Sequence, residues 1–126
     1  MTEKRRLMMI GDFREMNYDN HPNAPSLVAL RGKRAPAHKA EVVAYLKKAK
    51  AIVLTMGPSR DFFDEAHLIG SHTLRTDGVY VWPDFTAGYV DRYDVALPDE
   101  FEQHMAKNAW KLPDSVDIST LVLPWK

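Results

Sequence analysis

The histidines of this chain are the first residues whose type suits metal binding or acid–base chemistry. Five histidines occur in 126 residues; His67 and His72 stand closest together, and Asp77 follows five residues later. Two imidazoles and one carboxylate form a ligand set that zinc accepts. Asp77, however, is predicted to be used by a turn, which argues against convergence of the three side chains. We therefore expect ordinary polar histidines, no metal and no other cofactor.

A group of carboxylates is the second candidate for chemistry. Asp61, Asp64 and Glu65 lie in a short polar segment, and paired carboxylates act as acid and base when their surroundings drive their pKa values apart. A polar segment favours exposed side chains instead. Ser59 lacks the second glycine of a nucleophile elbow, and the chain has no cysteine. The sequence thus predicts no catalytic residue, and a small metal-dependent enzyme built on these groups remains an alternative.

The charges are divided unevenly between the two halves of the chain. Residues 1–60 carry 12 Lys and Arg against 5 Asp and Glu, a net of +7, and residues 61–126 carry 5 against 12, a net of −7. The densest acidic stretch runs from Asp91 to Glu102. Either the halves fold together and pair their charges, or this stretch forms a face for a basic partner and speeds association. The basic half lacks interleaved aromatic residues, so we expect no nucleic-acid partner.

These groups must be positioned by helices and strands, and the sequence patterns of those elements predict an α+β fold. Residues 1–126 are predicted to form a single domain, since this is a usual domain length. Apolar residues recur at helical spacing over 37–50 and predict a helix that covers one face of a sheet. Two C-terminal helices are predicted over 84–93 and 98–110. The sheet is predicted to be antiparallel, with about four strands near 7–13, 51–55, 71–76 and 79–82.

Two of these strands carry the clearest signals. The β-branched run over 51–55 follows the first long helix and predicts a central strand. Asp77-Gly78 is a favoured two-residue hairpin turn, because both positions need positive φ. Strict alternation after this turn places Tyr80 and Trp82 on one face of the sheet.

The structure of the shorter segments is predicted from their turn and capping residues. Turn-forming residues predict a loop over 17–25. The segment 59–66 is ambiguous, and a short helix that begins at Ser59 and Asp61 is one interpretation. Ser26, Asp84 and Asp117 are predicted to cap the helical segments that follow them.

The apolar runs of the chain are all short. None approaches the ~20 residues that a membrane-spanning helix needs, and the charged start is followed only by Leu7 to Ile10, too short for a signal peptide. We therefore expect a cytoplasmic protein with no membrane partner.

Residues 74–105 carry a dense series of motifs: a turn, a strand end, a tyrosine-containing helix and a helix start. They are Thr76-Asp77-Gly78, Val81-Trp82-Pro83, Tyr89-Val90-Asp91-Arg92-Tyr93 and Leu97-Pro98-Asp99-Glu100-Phe101. This series resembles a signature of small bacterial proteins that include immunity proteins of polymorphic toxin systems. The resemblance implies a small cytoplasmic antidote, not an enzyme, that blocks a cognate toxin domain by direct contact. Gly88 and Asp94 depart from the pattern, which has tyrosine and histidine there.

The contact surface that this reading implies combines aromatic and charged side chains. Tyrosine and arginine supply much of the energy at protein interfaces, and an acidic stretch can mimic a phosphate backbone in the groove of a basic nuclease toxin. The predicted partner-binding residues are Tyr89, Arg92, Tyr93, Asp94, Asp99, Glu100 and Glu102. A general interaction or regulatory module, with the same surface but no toxin, is the alternative.

Overall fold

The computed structural model describes residues 4–16 and 24–124. The α-helices of this part of the chain are α1 (Leu27–Leu30), α2 (Lys39–Lys48), α3 (Phe85–Tyr93) and α4 (Asp99–Lys107). Within these residues, no helix has the length and apolar character that crossing a membrane requires. Most of the predicted loop over 17–25 lies outside the described residues.

The strands of the same part of the chain form one larger sheet and two strand pairs. The strands are β1 (Arg5–Arg6), β2 (Met8–Met9), β3 (Lys50–Val53), β4 (Arg60–Asp61), β5 (Asp64–Leu68), β6 (Leu74–Thr76), β7 (Tyr80–Pro83) and β8 (Leu121–Val122). The larger sheet has the order β2-β7-β6-β3, while β1 pairs with β8 and β4 with β5. The predicted α+β class with a four-stranded sheet is confirmed.

Strand β7 is the centre of the fold because it is buried on both faces. Tyr80 and Trp82 pack in one cluster with α2 and α4, whereas Val81 packs in a separate cluster. The Trp82 indole Nε1 donates to the carbonyl of Leu46 at 3.0 Å, which satisfies the one polar atom of a fully buried ring. The predicted pairing of Tyr80 and Trp82 on one face is confirmed, and α2 covers that face.

The sheet is mixed rather than antiparallel, which corrects the prediction. Strands β3 and β7 each pair antiparallel with β6, but β2 pairs parallel with β7, with Met8 opposite Tyr80. A short apolar run indicates that a strand is buried but carries no information on its direction. The partner of β2 lies in the other half of the chain, where no turn signal could reveal the orientation.

The strand predicted over 7–13 is interrupted in the structure. Strand β2 ends at Met9, and Gly11 has a φ of 69°. A Cβ atom at Gly11 would lie 2.5 Å from Thr86 Cγ2, and the Thr86 hydroxyl donates to the Gly11 carbonyl at 2.6 Å. This close approach to α3 requires a left-handed backbone, which lies outside the extended region that strands need.

The strand predicted over 51–55 is an edge strand, so its predicted central position is wrong. Strand β3 is the last in the sheet order and begins one residue after the C-cap of α2. Its apolar residues Ile52 and Val53 are half-buried, and Leu54 is 81% exposed. A β-branched run predicts a strand but does not distinguish an edge from the centre of a sheet.

The predicted hairpin forms between β6 and β7, but its turn differs from the prediction. Only Gly78 has a positive φ, of 96°, whereas the predicted turn needs positive φ at two positions. Asp77 instead uses its carboxylate: Oδ1 accepts from the backbone N–H groups of Val79 at 2.9 Å and Tyr80 at 2.8 Å. Aspartate favours turns of this side-chain-bonded kind.

The segment 59–66, which is ambiguous in the sequence, belongs to a β-hairpin, so its interpretation as a short helix is wrong. Strands β4 and β5 pair antiparallel. The Oδ1 atom of Asp61 accepts from the backbone N–H of Phe63 at 2.8 Å, and Asp64 bonds the amide two residues further on in the same way. Such local bonds offer the backbone an alternative to helical bonds, which explains why a helix does not form.

The three longer helices are confirmed, with slightly shorter bounds than predicted. Two of the predicted caps are confirmed as well: Ser26 bonds the amide three residues further on, and Asp117 the amide two residues further on. Asp84 does not cap α3 with its side chain. Its carboxylate accepts from Arg75 Nε at 2.6 Å instead, because an arginine on the neighbouring strand competes for it.

Gly70 joins the β4–β5 hairpin to α3 through a contact that leaves no room for a side chain. Its φ is 57°, and a Cβ atom there would lie 2.7 Å from Phe85 Cα. Gly57 has a similar φ of 79°, but a Cβ atom there would meet nothing within 4 Å. We expect Gly70→Ala to lower the free energy of unfolding by about 1–3 kcal/mol more than Gly57→Ala, since only the first is overpacked. Urea unfolding measures both, and equal losses would contradict the contact.

Candidate functional site

The candidate site is built around the buried carboxylate of Asp61 on β4. Its side chain is fully buried and accepts hydrogen bonds from the Tyr93 hydroxyl at 2.6 Å and from the Phe63 N–H. His67 Nδ1 on β5 lies 3.0 Å from Asp61 Oδ2 and donates to it, since an ionised carboxylate can only accept. The three donors belong to the hairpin and to α3, so Asp61 fastens these elements to each other.

The surroundings of Asp61 keep it ionised. Burial raises the pKa of the carboxyl, but the bonds from Tyr93, from Phe63 N–H and from His67 together lower it below the usual value. The reverse holds for the neighbouring phenol: burial and the Asp61 carboxylate raise the pKa of Tyr93. A charged acceptor strengthens each hydrogen bond that it receives, so Tyr93 is held in one orientation.

Arg92 lies above this carboxylate at the protein surface. Its Nη2 is 3.2 Å from Asp64 Oδ2, and its Nε is 3.8 Å from Asp61 Oδ2. Its side chain is 43% exposed, so one side of the guanidinium contacts the hairpin and the other is open to solvent. Two carboxylates on one hairpin thus fix the position of an exposed arginine.

A second arginine completes the site from the end of α1. Arg31 Cζ lies 4.3 Å from the ring centroid of Phe63 and 4.8 Å from that of Tyr93, distances at which a cation is attracted to a ring face. The chain around Arg31 is held by the Gly32 N–H, which donates to the Tyr93 carbonyl at 2.9 Å. Phe62, at the tip of the hairpin, is 46% exposed. We call Arg31, Phe62, Phe63, Arg92 and Tyr93 the arginine–aromatic surface.

Tyr89 does not belong to this surface, although it was predicted to bind a partner. Its side chain is completely buried in a cluster with Phe13 and Phe85, and its hydroxyl accepts from the backbone N–H of Phe62 at 2.9 Å. A partner therefore cannot reach its ring in this structure. Helical spacing places Tyr89 one turn before Tyr93, but the hairpin covers only the first of them completely.

The predicted acidic residues lie elsewhere and are partly neutralised. Asp94 ends α3 with a φ of 49° and accepts from Lys39 Nζ at 2.7 Å. Arg34 Nη2 lies 2.7 Å from Asp99 and also pairs with Glu102. These pairs join the basic half to the acidic half, so folding does pair part of the divided charge.

Glu100 differs from its acidic neighbours. It is exposed and has no ion pair within 4 Å among the described residues. Burial raises the pKa of Tyr80, and Glu100 adds to this effect through its charge. Of the predicted acidic contact residues, Glu100 is therefore the one with a charge that this part of the chain does not itself pair.

A second buried aspartate holds a histidine and a tyrosine in the same manner. Besides the two amides of its own turn, Asp77 accepts from the Tyr45 hydroxyl on α2 and from His104 Nε2 on α4, the latter at 3.0 Å. Burial, followed by the bond and the charge of Asp77, raises the pKa of Tyr45. Asp77 therefore serves the packing of helices on the sheet, and its oxygens are already engaged.

The predicted metal-ligand candidates are not brought together. Asp61 contacts His67, whereas Asp77 contacts His104, and His72 belongs to neither contact. Among the described residues, no group of three histidine, aspartate or glutamate side chains is placed to hold a metal ion. His72, Asp77 and the carboxylates near Asp61 are therefore not placed to share one metal ion in this part of the chain.

The imidazole of His67 is oriented by its hydrogen bond to Asp61. With Nδ1 bonded to Asp61, the free imidazole nitrogen is Nε2, and the half-buried ring lines a cleft of about 580 Å³ with Arg75 and Asp84. A carboxylate that orients an imidazole in this way occurs at general bases. Here the same carboxylate also accepts hydrogen bonds from the Tyr93 hydroxyl and the Phe63 N–H. The contact between Asp61 and His67 therefore has a structural role, whether or not His67 takes part in a reaction.

Comparison of the chain with protein-family models, with curated proteins and with solved structures finds no match. The candidate site must therefore be judged on its own geometry.

Sequence reasoning missed Arg31, Phe62 and Phe63 as parts of the site, and it grouped His67 with His72 and Asp77 instead of with Asp61. The segment Asp61-Phe62-Phe63-Asp64 carried the available signal, because each aspartate can bond the amide two residues on and favour a tight turn. Arg31 carried no such signal, since its contacts depend on how α1 packs against the end of α3.

Replacing Asp61 tests the structural part of this site. We expect Asp61→Asn to lower the free energy of unfolding by about 1.5–3 kcal/mol, the usual contribution of hydrogen bonds to a charged group. Asp64→Asn is the control: it loses one half-exposed ion pair with Arg92, which costs less than about 1 kcal/mol. Chemical unfolding at neutral pH measures both variants.

The pH dependence of stability gives a second readout of Asp61. Because its folded pKa lies below the unfolded value of about 3.9, its contribution is present above that value and is lost as the pH falls through the folded pKa. The native protein should therefore lose stability more steeply below about pH 4 than Asp61→Asn. Parallel curves for the two proteins would show that the carboxylate is not held as described.

Proposed function

We propose that this chain is an immunity-type binding protein that neutralises a cognate bacterial toxin domain in the cytoplasm by direct contact. The observation that carries the proposal is the arginine–aromatic surface. In this surface Arg92 and Tyr93 contact the buried Asp61 carboxylate, and Arg31 packs on the rings of Phe63 and Tyr93. Arginine and aromatic residues are enriched among the few side chains that supply most binding energy at interfaces. The resemblance of residues 74–105 to immunity proteins points to the same class of partner.

The rigidity of this surface supports binding. Arg92 is held by Asp61 and Asp64, and the Tyr93 hydroxyl is bonded to Asp61. Side chains fixed before binding lose less conformational entropy on association, which leaves more of the contact energy as affinity. A tight inhibitor needs such preorganisation and needs no catalytic group.

The hydrogen bonds that the two buried aspartates accept favour a binding function over a catalytic one. Asp61 receives three hydrogen bonds and Asp77 four, all from this chain. Carboxylates engaged in this way stabilise the positions of hairpins and helices. Both carboxylates therefore have a structural role in a rigid scaffold, and an inhibitor requires such a scaffold.

The proposal is tested by the gene next to this one and by co-expression. We expect the neighbouring gene to encode a large secreted protein with a variable C-terminal domain, and we expect that domain to arrest growth unless this chain is present. Copurification of the two proteins as a stable complex is the second expected result. Unrelated neighbours, or growth arrest that persists with this chain, would contradict the proposal. Capture of a housekeeping protein instead would favour a general interaction module.

The arginines of the surface should dominate the affinity for the toxin domain. We expect Arg92→Ala and Arg31→Ala each to weaken binding about 30-fold, the effect of losing roughly 2 kcal/mol at a well-packed interface. Lys107→Ala, an exposed change on α4, is the control and should leave the affinity unchanged. Isothermal titration calorimetry measures the dissociation constants, and circular dichroism verifies folding. Equal affinities for all three variants would exclude this surface.

Glu100 allows the acidic stretch to be tested without breaking an ion pair. We expect Glu100→Lys to slow association with a basic toxin domain, because exposed charges act mainly on encounter rates. The effect should fall as salt is added, since screening shortens the range of exposed charges. Stopped-flow or surface plasmon resonance measurements at two salt concentrations decide this. An unchanged association rate at low salt would show that the acidic stretch does not face the partner.

A further inference from the structure

The outer edge of β3 is an unpaired edge of the main sheet. β3 is the last strand in the order β2-β7-β6-β3, and no strand of residues 4–16 or 24–124 pairs with its other side. An edge strand presents backbone N–H and C=O groups that can pair with a strand from another chain. The edge is therefore a place where an extended segment can add to the sheet.

The chain that continues from β3 is apolar and exposed. Leu54 is 81% exposed and Met56 is 100% exposed, although the backbone between them is held, since Thr55 N–H donates to the Thr73 hydroxyl at 3.1 Å. Ile52 and Val53 on β3 itself are only half-buried. Exposed large apolar side chains next to an unpaired strand provide a surface for the side chains of an added strand.

Three lysines surround the start of this edge. Lys47 and Lys48 end α2 and Lys50 begins β3; all three are exposed. No carboxylate of the described residues lies within 4 Å of their ammonium groups, whereas Arg34, Lys39, Arg75 and Arg92 are paired. The chain at the start of β3 therefore carries three positive charges that this part of the chain does not itself pair.

We propose that the outer edge of β3 binds an extended acidic segment of a partner protein as an additional strand. Backbone hydrogen bonds to the edge give the register, apolar side chains of the segment pack on the exposed Leu54 and Met56, and its acidic side chains pair with the three lysines. A second copy of this chain fits poorly, because its residues 50–56 contain no carboxylate that could pair with these lysines. This surface goes beyond the arginine–aromatic surface and does not depend on the immunity-type function.

A synthetic peptide provides the probe. The peptide is an eight-residue chain of alternating glutamate and valine with blocked ends, titrated into the isotopically labelled full-length protein. We expect NMR shift changes along residues 50–56 and slower exchange of amides on β3. Two peptide controls separate the contributions: alternate backbone N-methylation removes its hydrogen-bond donors, and replacement of glutamate by lysine reverses its charge. Each control should bind at least about 10-fold more weakly.

Variants of the protein give the matching test. The double variant Lys48→Glu with Lys50→Glu should bind the glutamate–valine peptide about 10-fold more weakly or worse. It should bind the lysine–valine peptide more tightly than the native protein does, because the charge complementarity is inverted. Lys107→Glu with Lys111→Glu is the control of equal charge change away from the edge, and it should leave both affinities close to those of the native protein. Circular dichroism confirms that all variants are folded.

Several results would overturn the inference. They are no shift changes with the peptide at millimolar concentration, equal binding of the N-methylated peptide, and shifts confined to residues 118–123 or to the arginine–aromatic surface. Dimerisation through β3 in analytical ultracentrifugation would show that a second copy is the occupant. Because the peptide test uses no toxin, a failure of the immunity proposal leaves its outcome unaffected, and the reverse is also true.

Discussion

The carboxylate of Asp77 is the group on which the arrangement of the main sheet and its helices most depends. It is buried and accepts two amides of its own turn, a hydroxyl from α2 and an imidazole from α4. In a low-dielectric interior an unsatisfied carboxylate is costly, so the hairpin and both helices are limited to positions that satisfy it. In those positions Trp82 is enclosed between the sheet and the helices. Asp61 acts in the same way between the β4–β5 hairpin and α3, and it holds the Tyr93 hydroxyl and lies next to the exposed guanidinium of Arg92.

Much of the fold could be predicted because it follows from local patterns. Helix α2 has an apolar face at helical spacing, and the β6–β7 hairpin has alternating apolar residues around an Asp-Gly turn. The parallel pairing of β2 and the edge position of β3 could not be predicted, because both depend on which distant strands meet. The β4–β5 hairpin was missed for a different reason: Asp61 and Asp64 act through bonds to nearby amides, and composition alone does not separate that role from a helix start.

The candidate site was only partly accessible from the sequence. The prediction that Arg92 and Tyr93 share a surface follows from their place at the end of a helix, and the structure places them together beside Asp61. Which aromatic residues are covered depends on the hairpin, and this is why Tyr89 is buried while Tyr93 reaches the surface. The acidic stretch looked continuous in the sequence, but Arg34 and Lys39 come from the other half of the chain and pair with parts of it. Only the folded chain shows which of these acidic side chains have no ion pair.

The contacts of Asp77 also determine which parts of the molecule can unfold locally. Detaching α4 removes His104 from the carboxylate and Phe101 from the cluster around Trp82, so the opening of this helix alone leaves a buried charge incompletely bonded. The β6–β7 hairpin, α2 and α4 therefore form one cooperative unit in which partial opening is disfavoured. The β4–β5 hairpin lies outside that unit, and its Asp61 carboxylate accepts from the Tyr93 hydroxyl at the end of α3. Local opening of this hairpin would therefore release the arginine–aromatic surface while the main sheet and its covering helices stay closed.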